Sequence, residues 1–315
     1  MRPNKLAIII PCFNEEEVIL YTIDELDILM DIMIDEGLIS AASQICFVDD
    51  GSKDRTLDII EKTCQNNTRF SLIKLSNNFG QQNAMIAGMF NVNADIYVTI
   101  DADLQDDHMT ITDMVQKYHD GCEIIYGVRN KRETDTFIKK ITAILFYKLM
   151  NKIGVKLIYN HSEFRLLSRI AVEKLKTYRE KNIFLRGIIP LIGLKSDCVY
   201  YDRLLRPAGK SKYSVLKLFS VAWTGITSFS TFPLRLITLI GLLTFLISIV
   251  IIIYSLFSFY THKSIKGWTS IIMTASFFSD MIILSLGIIG EYIAKVFIEV
   301  KNRPLYHIEK TLNIK

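Results

Sequence analysis

Two aspartates, Asp101 and Asp103, stand directly after the apolar run of residues 96–100. The run is typical of a buried strand, and alternate side chains of a strand point to the same side, so the two carboxylates can face one point. Converging carboxylates repel each other unless a cation lies between them, and hard oxygen ligands suit Mg²⁺ or Mn²⁺. Because Mg²⁺ is usually held by one or two carboxylates together with substrate phosphates, the pair predicts a metal–diphosphate site.

The same acidic stretch also has a plainer interpretation. Aspartates that follow a strand often cap the next helix, and we expect Asp106 or Asp107 to do so here. A single Asp-x-Asp is weak evidence for a metal site. The metal interpretation depends on polar clusters elsewhere in the chain.

The elements that must position these carboxylates alternate between strands and helices. Apolar runs predict strands over residues 5–12, 44–48, 70–75, 96–100 and 123–127, with amphipathic helices between them, and alternation over residues 199–205 predicts a further strand. This alternation predicts an α/β fold with a mostly parallel sheet and helices on both faces. The carboxyl ends of parallel strands lie along one edge, so polar residues that follow successive strands are expected to share a cleft. These residues are Asn14, Glu15, Asp49, Asp50, Asn77, Asp101, Asp103 and Arg129.

Composition excludes several classes of protein. The five cysteines among the 315 residues include no C-x-x-C pair, which argues against a disulfide framework or a zinc site and favours reduced thiols in a cytosolic domain. No G-x-G-x-x-G follows the first predicted strand, so the usual dinucleotide signature is missing. The apolar run at residues 6–10 is too short for a signal peptide.

The C-terminal third is mostly apolar. Residues 236–260 carry no charge, and a second apolar run, residues 271–293, contains Asp280. Both runs reach the roughly 20 residues that a transmembrane helix needs, and they form a predicted hairpin. Basic residues are concentrated outside the hairpin, which predicts that both termini lie in the cytoplasm. Residues 214–230 are amphipathic and are either a membrane-surface helix or a docked helix of the soluble domain.

Several stretches of the chain resemble family 2 glycosyltransferases with the GT-A fold. In the first half they are Pro11-Cys12-Phe13-Asn14-Glu15, Val48-Asp49-Asp50-Gly51-Ser52-Lys53-Asp54-Arg55-Thr56, Asn78-Phe79-Gly80-Gln81 and Asp101-Ala102-Asp103-Leu104-Gln105-Asp106. Later stretches are similar to polyprenyl-phosphate glycosyltransferases, most of all to the bactoprenol glucosyltransferases, and more distantly to dolichyl-phosphate mannose synthases. They include Phe164-Arg165-Leu166, Phe184-Leu185-Arg186-Gly187 and residues 206–213 and 225–235.

The resemblance implies roles for individual residues. It implies that Asp101, Asp103 and Gln105 ligate Mg²⁺ or Mn²⁺, and that catalysis involves Asp103, Glu163 and Arg129. The implied nucleotide-sugar contacts are Pro11, Phe13, Glu15, Asp49, Asp50, Asn77, Gly80 and Asp101, and the implied acceptor-phosphate contacts are Arg129, Lys140, Arg206 and Lys212. Glu163 is a departure, because the family commonly has an aspartate before Phe-Arg-Leu.

Hydropathy and the resemblance together predict six segments. A cytoplasmic GT-A catalytic domain covers residues 1–212, and a juxtamembrane amphipathic segment covers 213–231. Two transmembrane helices follow at 232–260 and 271–294, joined by a short outer loop at 261–270. A cytoplasmic tail covers 295–315. The expected location is the inner (plasma) membrane.

The implied reaction is inverting transfer of a hexose, with glucose first, from a UDP-sugar to undecaprenyl (polyprenyl) phosphate for modification of a cell-envelope polysaccharide. N-acetylglucosamine or a GDP-mannose donor are alternatives. The implied partners are a nucleotide sugar, a polyprenyl phosphate lipid, the membrane and further copies of the chain, with no nucleic acid.

Three other functions share features with this sequence. A processive polysaccharide synthase would carry Q-x-x-R-W, but neither Trp223 nor Trp268, the only tryptophans, follows an arginine. A membrane-anchored sugar-nucleotide sensor or scaffold without catalysis is a second alternative. A nucleotidyltransferase, which would release pyrophosphate, is a third.

Overall fold

The computed structural model describes residues 3–130, 158, 161–181, 184–202 and 267–314, together with individual positions between 234 and 253. The chain divides into two compact units. One unit comprises residues 1–152, 156–214 and 303–315, and the other comprises residues 153–155 and 215–302.

An eight-stranded sheet forms the centre of the first unit. Its strands lie in the order β7-β5-β6-β4-β1-β2-β3-β8. They span Leu6–Cys12 (β1), Gln44–Asp49 (β2), Phe70–Leu75 (β3), Ile96–Thr99 (β4), Ile124–Arg129 (β5), His161–Ser168 (β6), Ser196–Tyr201 (β7) and Ile308–Leu312 (β8). β1 pairs in parallel with β2 and β4, and β2 with β3, whereas β6 and β8 run antiparallel to their neighbours.

Six helices of the first unit are described, and the first four of them connect parallel strands, as the alternating pattern predicts. They span Ile19–Asp35 (α1), Thr56–Asn66 (α2), Gln81–Asn91 (α3), Thr110–His119 (α4), Arg169–Lys176 (α5) and Leu185–Leu191 (α6). α1 buries Ile23, Leu26 and Met30 at helical spacing against the core, which confirms the predicted amphipathic helix. The mostly parallel α/β sheet with flanking helices is therefore confirmed.

Close packing holds α3 against strand β1 of the sheet. A Cβ at Gly88 would lie 2.2 Å from Cγ2 of Ile9 on β1, so a larger residue would force the helix away. α3 starts at the carboxyl end of β3 and carries Gln81 in its first turn. The glycine thus helps to set the position of Gln81 at that edge.

The second unit contains helix α7, Trp268–Lys301. Among the described residues, its segment Phe277–Lys301, which contains an 18-residue window of mean hydropathy 1.9, is long and apolar enough to cross a membrane. It overlaps the second predicted span. Most of the first predicted span lies outside the described residues, so the two-helix hairpin remains a prediction.

Two strands of the sheet were not predicted. β6 carries Glu163 and Arg165 and enters the sheet antiparallel between β4 and β5. β8 lies in the segment predicted as a cytoplasmic tail, where it pairs with β3 at the edge of the sheet. Within residues 295–315, predicted as a cytoplasmic tail, α7 continues to Lys301 and residues 303–315 belong to the first unit.

The five cysteines are free thiols, and four of them are buried. Burial raises the pKa of Cys46 and of Cys64 to about 12, so both are inert thiols at neutral pH. The predicted absence of a disulfide framework agrees with this arrangement.

Candidate active site

Four consecutive loops share one edge of the sheet. They follow β4, β1, β2 and β3, which are neighbours in that order and run in parallel. The predicted nucleotide and metal residues that follow these strands are therefore brought together along one edge, as parallel topology requires.

The loops after β1 and β2 are joined by hydrogen bonds. Asn14, which has a positive φ of 54°, donates its backbone N–H to Oγ of Ser52 and accepts from the backbone N–H of Lys53 at 2.8 Å. The backbone N–H of Glu15 donates to Oγ1 of Thr56 at 2.8 Å. Pro11 is buried at the end of β1, whereas Phe13 is 37% exposed. Phe13 thus offers an aromatic face beside this joined pair of loops.

Asp50 joins the loop after β2 to the loop after β3. Its two carboxylate oxygens accept from the backbone N–H groups of Phe79 at 2.7 Å and Gly80 at 2.8 Å. A Cβ at Gly51 would lie 3.0 Å from backbone atoms of Asn77 and Asn78, so the two loops are in close contact. Asn77 is exposed, and its side chain accepts from the backbone N–H of Asn78. Burial raises the pKa of Asp50 and that of the adjacent, buried Asp49.

Asp101 lies close to three other carboxylates. Burial and the nearby charges of Asp106, Asp103 and Glu163 raise its pKa to about 7, against the opposing effect of Arg129. Its Oδ1 accepts from Nε2 of Gln81 at 2.6 Å. A carboxyl held among like charges is stabilised as an anion when a cation binds, so the donor chemistry at Asp101 suits a hard divalent ion.

Asp103 shapes the turn that follows Asp101. Its Oδ1 accepts from the backbone N–H of Gln105 at 3.2 Å, and Leu104 between them has a positive φ of 42°. Within the described ranges, no group of three or more His, Cys, Asp or Glu side chains converges as a complete metal site. Asp101 and Asp103 supply two carboxylates, the number that Mg²⁺ commonly takes from a protein when substrate phosphates are its other ligands.

Arg129 is fixed by a buried carboxylate. Its Nε and Nη2 donate to Oδ1 of Asp106, which is 2% exposed, at 2.9 and 2.7 Å. The pKa of Arg129 is raised, because the attraction of Asp106 and Tyr201 outweighs burial. The hydroxyls of Tyr201 and Ser162 lie 2.8 Å apart and extend the network into β6 and β7. Asp106 is therefore a partner of Arg129, while Asp107 accepts from the backbone N–H of Met109 just before α4.

Glu163 forms ion pairs with two arginines. Its Oε2 pairs with Nη2 of Arg165, which is fully buried, and its Oε1 accepts from Nε of Arg186 at 2.8 Å. Burial opposes ionisation, but Arg165 and Arg186 lower the pKa of Glu163 to about 2. A carboxylate with both oxygens engaged and so low a pKa is suited to holding cations in place rather than to accepting a proton.

Three of the predicted acceptor-phosphate residues lie outside the described residues. They are Lys140, Arg206 and Lys212, and their roles stay predictions. Arg129, the fourth predicted acceptor-phosphate residue, is described. Its charge lowers the pKa of Asp101, so it lies close to the carboxylates around Asp101.

The family model for glycosyl transferase family 2 matches residues 7–176, which include every one of these loops and β6. The chain belongs to glycosyl transferase family 2. The glycosyltransferase is 48% identical over 306 residues to the uncharacterized glycosyltransferase YkoT of Bacillus subtilis (strain 168), covering 96% of this chain and 91% of that protein.

A second relative is the SfII prophage-derived bactoprenol glucosyl transferase of Shigella flexneri. It is 36% identical over 312 residues and covers 98% of both chains. Among solved structures, the mannosyltransferase PcManGT of Pyrobaculum calidifontis, in complex with GDP-Man and Mn²⁺, matches with a TM-score of 0.48 and 16% identity, covering 66% of this chain and 59% of that one.

Sequence reasoning gave four residues of this glycosyltransferase no role in the site, and it considered Asp106 only as a helix cap. Gln81 contacts Asp101, Asp106 holds Arg129, and Arg165 and Arg186 hold Glu163. All four lie in stretches that resemble the family, so the sequence did point to these positions. The pairing of Glu163 with Arg186 was not foreseeable from spacing, because it joins β6 to α6 across 23 residues.

Proposed function

We propose that this glycosyltransferase transfers a hexose, with glucose as the first candidate, from a UDP-sugar to a polyprenyl phosphate such as undecaprenyl phosphate. The anomeric carbon is inverted, and the product is a lipid-phosphate-linked sugar used in modification of a cell-envelope polysaccharide.

The observation that carries the proposal is the group of charged side chains around Asp101, at the shared edge of the sheet. Asp101 and Asp103 follow β4, Asp49 ends β2 two strands away with Asp50 directly after it, and Arg129 ends β5. A donor with its nucleoside along the β1–β3 loops would bring its diphosphate toward Asp101. Similarity along nearly the whole chain to a bactoprenol glucosyl transferase supports the choice of a lipid phosphate as acceptor.

Asp101 and Asp103 would hold a Mg²⁺ or Mn²⁺ ion, with Gln105 as a further oxygen ligand. When bound, such an ion neutralises the negative charge that develops on the departing diphosphate. The protein's own part is to keep the two carboxylates in place, for which the bond from Gln81 to Asp101 and the turn at Leu104 are suited.

The acceptor needs orientation more than deprotonation. A phosphate monoester has a second pKa near 6, so it is largely dianionic at neutral pH and is already a nucleophile. Arg129, oriented by Asp106, would guide this dianion past the acidic cluster, together with the predicted contacts Lys140, Arg206 and Lys212. Glu163 would hold Arg186 beside the donor sugar instead of acting as a base.

The membrane arrangement is part of the proposal. Two spans, at residues 232–260 and 271–294, with the juxtamembrane segment 213–231, would hold the catalytic domain of residues 1–212 on the cytoplasmic side of the plasma membrane. A lipid phosphate could then reach the site without leaving the bilayer. The helical segment Phe277–Lys301 supports one of the two spans.

A donor screen tests the proposal. Purified full-length protein in detergent is given Mg²⁺ or Mn²⁺, undecaprenyl phosphate and a panel of UDP- and GDP-sugars, and nucleoside diphosphate release is measured. We expect lipid-dependent release from UDP-glucose. Release from UDP-N-acetylglucosamine or GDP-mannose alone would change the sugar, whereas no release from any donor would contradict transfer to this lipid and favour a sensor or scaffold.

A further inference from the structure

The C-terminal residues 306–313, which we name the C-terminal strap, are bound to the catalytic unit. Their central part is β8, which pairs antiparallel with β3, with Lys74 opposite Lys310 and Leu75 opposite Ile308. Asn313 donates from Nδ2 to the carbonyl oxygens of Cys64 and Phe70, which fixes the far end. The strap therefore completes the edge of the sheet beside β3.

The near end of the strap lies against residues 76–80, which we name the nucleotide-side loop. The backbone N–H of Ser76 donates to the carbonyl oxygen of His307 at 2.9 Å, which extends the strand pairing into the loop. The ring of His307 packs edge-on against the ring of Phe79, with centroids 6.1 Å apart. The strap thus contacts this loop through both backbone and side chain.

Two aspartates of the candidate site hold the same loop and its helix. Asp50 accepts from the backbone N–H groups of Phe79 and Gly80, and Gln81, the next residue, donates to Asp101. The strap also reaches the other end of α3, where Nδ2 of Asn91 donates to the hydroxyl of Tyr306 at 3.0 Å. A shift of the strap would therefore move groups that bind both aspartates.

An ion pair adds an electrostatic connection. Nζ of Lys74 on β3 lies 2.6 Å from Oε1 of Glu309 on the strap. Burial raises the pKa of Asp49, and the charge of Lys74 opposes that effect, so Lys74 lies within electrostatic reach of Asp49. Glu309 therefore holds a cation close to the candidate nucleotide site.

We propose that the C-terminal strap positions the nucleotide-side loop for binding of the donor nucleotide, with His307 as the principal positioning residue. The inference rests on the proposed function, because it requires a nucleotide at the β1–β3 edge. It makes the segment that follows the apolar helix α7 a part of donor binding.

The test measures binding of UDP in the presence of Mn²⁺ to the full-length protein in detergent by calorimetry, without any transfer reaction. His307→Ala should weaken UDP binding about two- to tenfold, the range that one aromatic contact supplies. His307→Phe, which keeps a ring against Phe79, should restore it. The thermal unfolding midpoint should fall by no more than about 2–4 °C in His307→Ala and should stay close to the wild-type value in His307→Phe.

Lys310→Ala is the matched control for Glu309→Ala. The Lys310–Glu61 and Lys74–Glu309 pairs are equally exposed, each with one partner at 25% and the other at 46–48%. Lys310 pairs with Glu61 on α2, whereas Glu309 pairs with Lys74, the lysine whose charge acts on Asp49. Glu309→Ala should weaken UDP binding measurably, and Lys310→Ala should leave it unchanged.

The outcomes separate this inference from the proposed function. If the wild type binds UDP and His307→Ala binds it equally well, the strap inference is wrong while the proposed function stands. The inference is also wrong if Lys310→Ala weakens binding as much as His307→Ala, because the effect would then be general loosening of β8. A wild type that binds neither UDP nor GDP with Mn²⁺ would overturn both.

Discussion

Arg129 directs two N–H groups, from Nε and Nη2, at a single oxygen of Asp106, at 2.9 and 2.7 Å. The carboxylate is almost completely buried, while the arginine side chain is 27% exposed. The arginine is therefore anchored by a buried carboxylate while part of its side chain remains exposed to solvent. Asp106, one of two aspartates considered as a cap of the next helix, thus orients the arginine that we propose binds the acceptor phosphate.

Asp106→Asn should destabilise the protein and weaken acceptor use. The substitution keeps the size of the side chain but removes the charge, and hydrogen bonds to a charged group contribute about 1.5–3 kcal/mol. We expect a loss of that order in the free energy of unfolding and a higher KM for the lipid phosphate. Asp107→Asn is the control, because it retains an acceptor for the backbone N–H of Met109. Equal stability of the two variants would show that the Arg129–Asp106 pair is unimportant.

Glu163→Gln and Arg186→Ala should have the same functional effect. Each removes the ion pair between Oε1 of Glu163 and Nε of Arg186, so each should raise the KM for the donor, and the double variant should be little worse than either. Glu173→Gln, which removes an exposed pair with Lys176 on α5, should change neither kcat nor the KM for the donor. Removal of a general base lowers kcat by about 10²–10⁴, so such a loss in Glu163→Gln with an unchanged KM would contradict the positioning role.

The same glutamate predicts a distinct acid response. The pKa of Glu163 in the folded protein, about 2, lies below its ordinary value of 4.5. Its contribution to stability is therefore fully present above pH about 4.5 and is lost as the pH falls toward 2. The difference in urea midpoint between wild type and Glu163→Gln should shrink between pH 5 and pH 2.5. A difference that does not change with pH would mean that Glu163 is not stabilised as an anion.

Gly51→Ala should displace the contact between the loops after β2 and β3. Gly51 and Gly37 both have positive φ, at 74° and 69°, but only Gly51 has backbone atoms 3.0 Å from an added Cβ, whereas Gly37 has nothing within 4 Å. Both alanine variants share the cost of positive φ, about 1 kcal/mol. Gly51→Ala should lose more stability than Gly37→Ala and should also weaken UDP binding. If Gly51→Ala and Gly37→Ala have the same thermal unfolding midpoint and the same UDP affinity, the two loops accommodate the added methyl group without loss of stability.

Sequence reasoning predicted the strands that are continuous apolar runs. β3 was predicted over the same residues that form it, and β1, β2 and β4 were predicted to within a residue, because each is a continuous apolar run that ends in polar turn residues. β6 escaped prediction, since Glu163 and Arg165 interrupt its apolar pattern and are buried only because they neutralise each other. Strand β8 is mostly polar and exposed, so only its pairing with β3 identifies it.

The candidate site divides in the same way. Placement of Asp49, Asp50, Asp101 and Arg129 at one edge followed from parallel topology alone. The partners that hold these groups did not follow, because Gln81, Asp106 and Arg186 act through side-chain geometry between elements. Sequence patterns report which strand ends meet, whereas the choice of partner depends on packing.

Transfer by an Asp103→Asn variant tests the central claim most directly. Wild type, Asp103→Asn and Asp107→Asn are compared in detergent with UDP-glucose, undecaprenyl phosphate and Mg²⁺ or Mn²⁺, and formation of lipid-linked hexose is measured. Wild type and Asp107→Asn should form the product at similar rates. Asp103→Asn should be folded but slower by about 100-fold or more, since several kcal/mol of charge stabilisation would be lost. Undiminished formation of lipid-linked hexose by Asp103→Asn would contradict a metal–diphosphate site at Asp101 and Asp103.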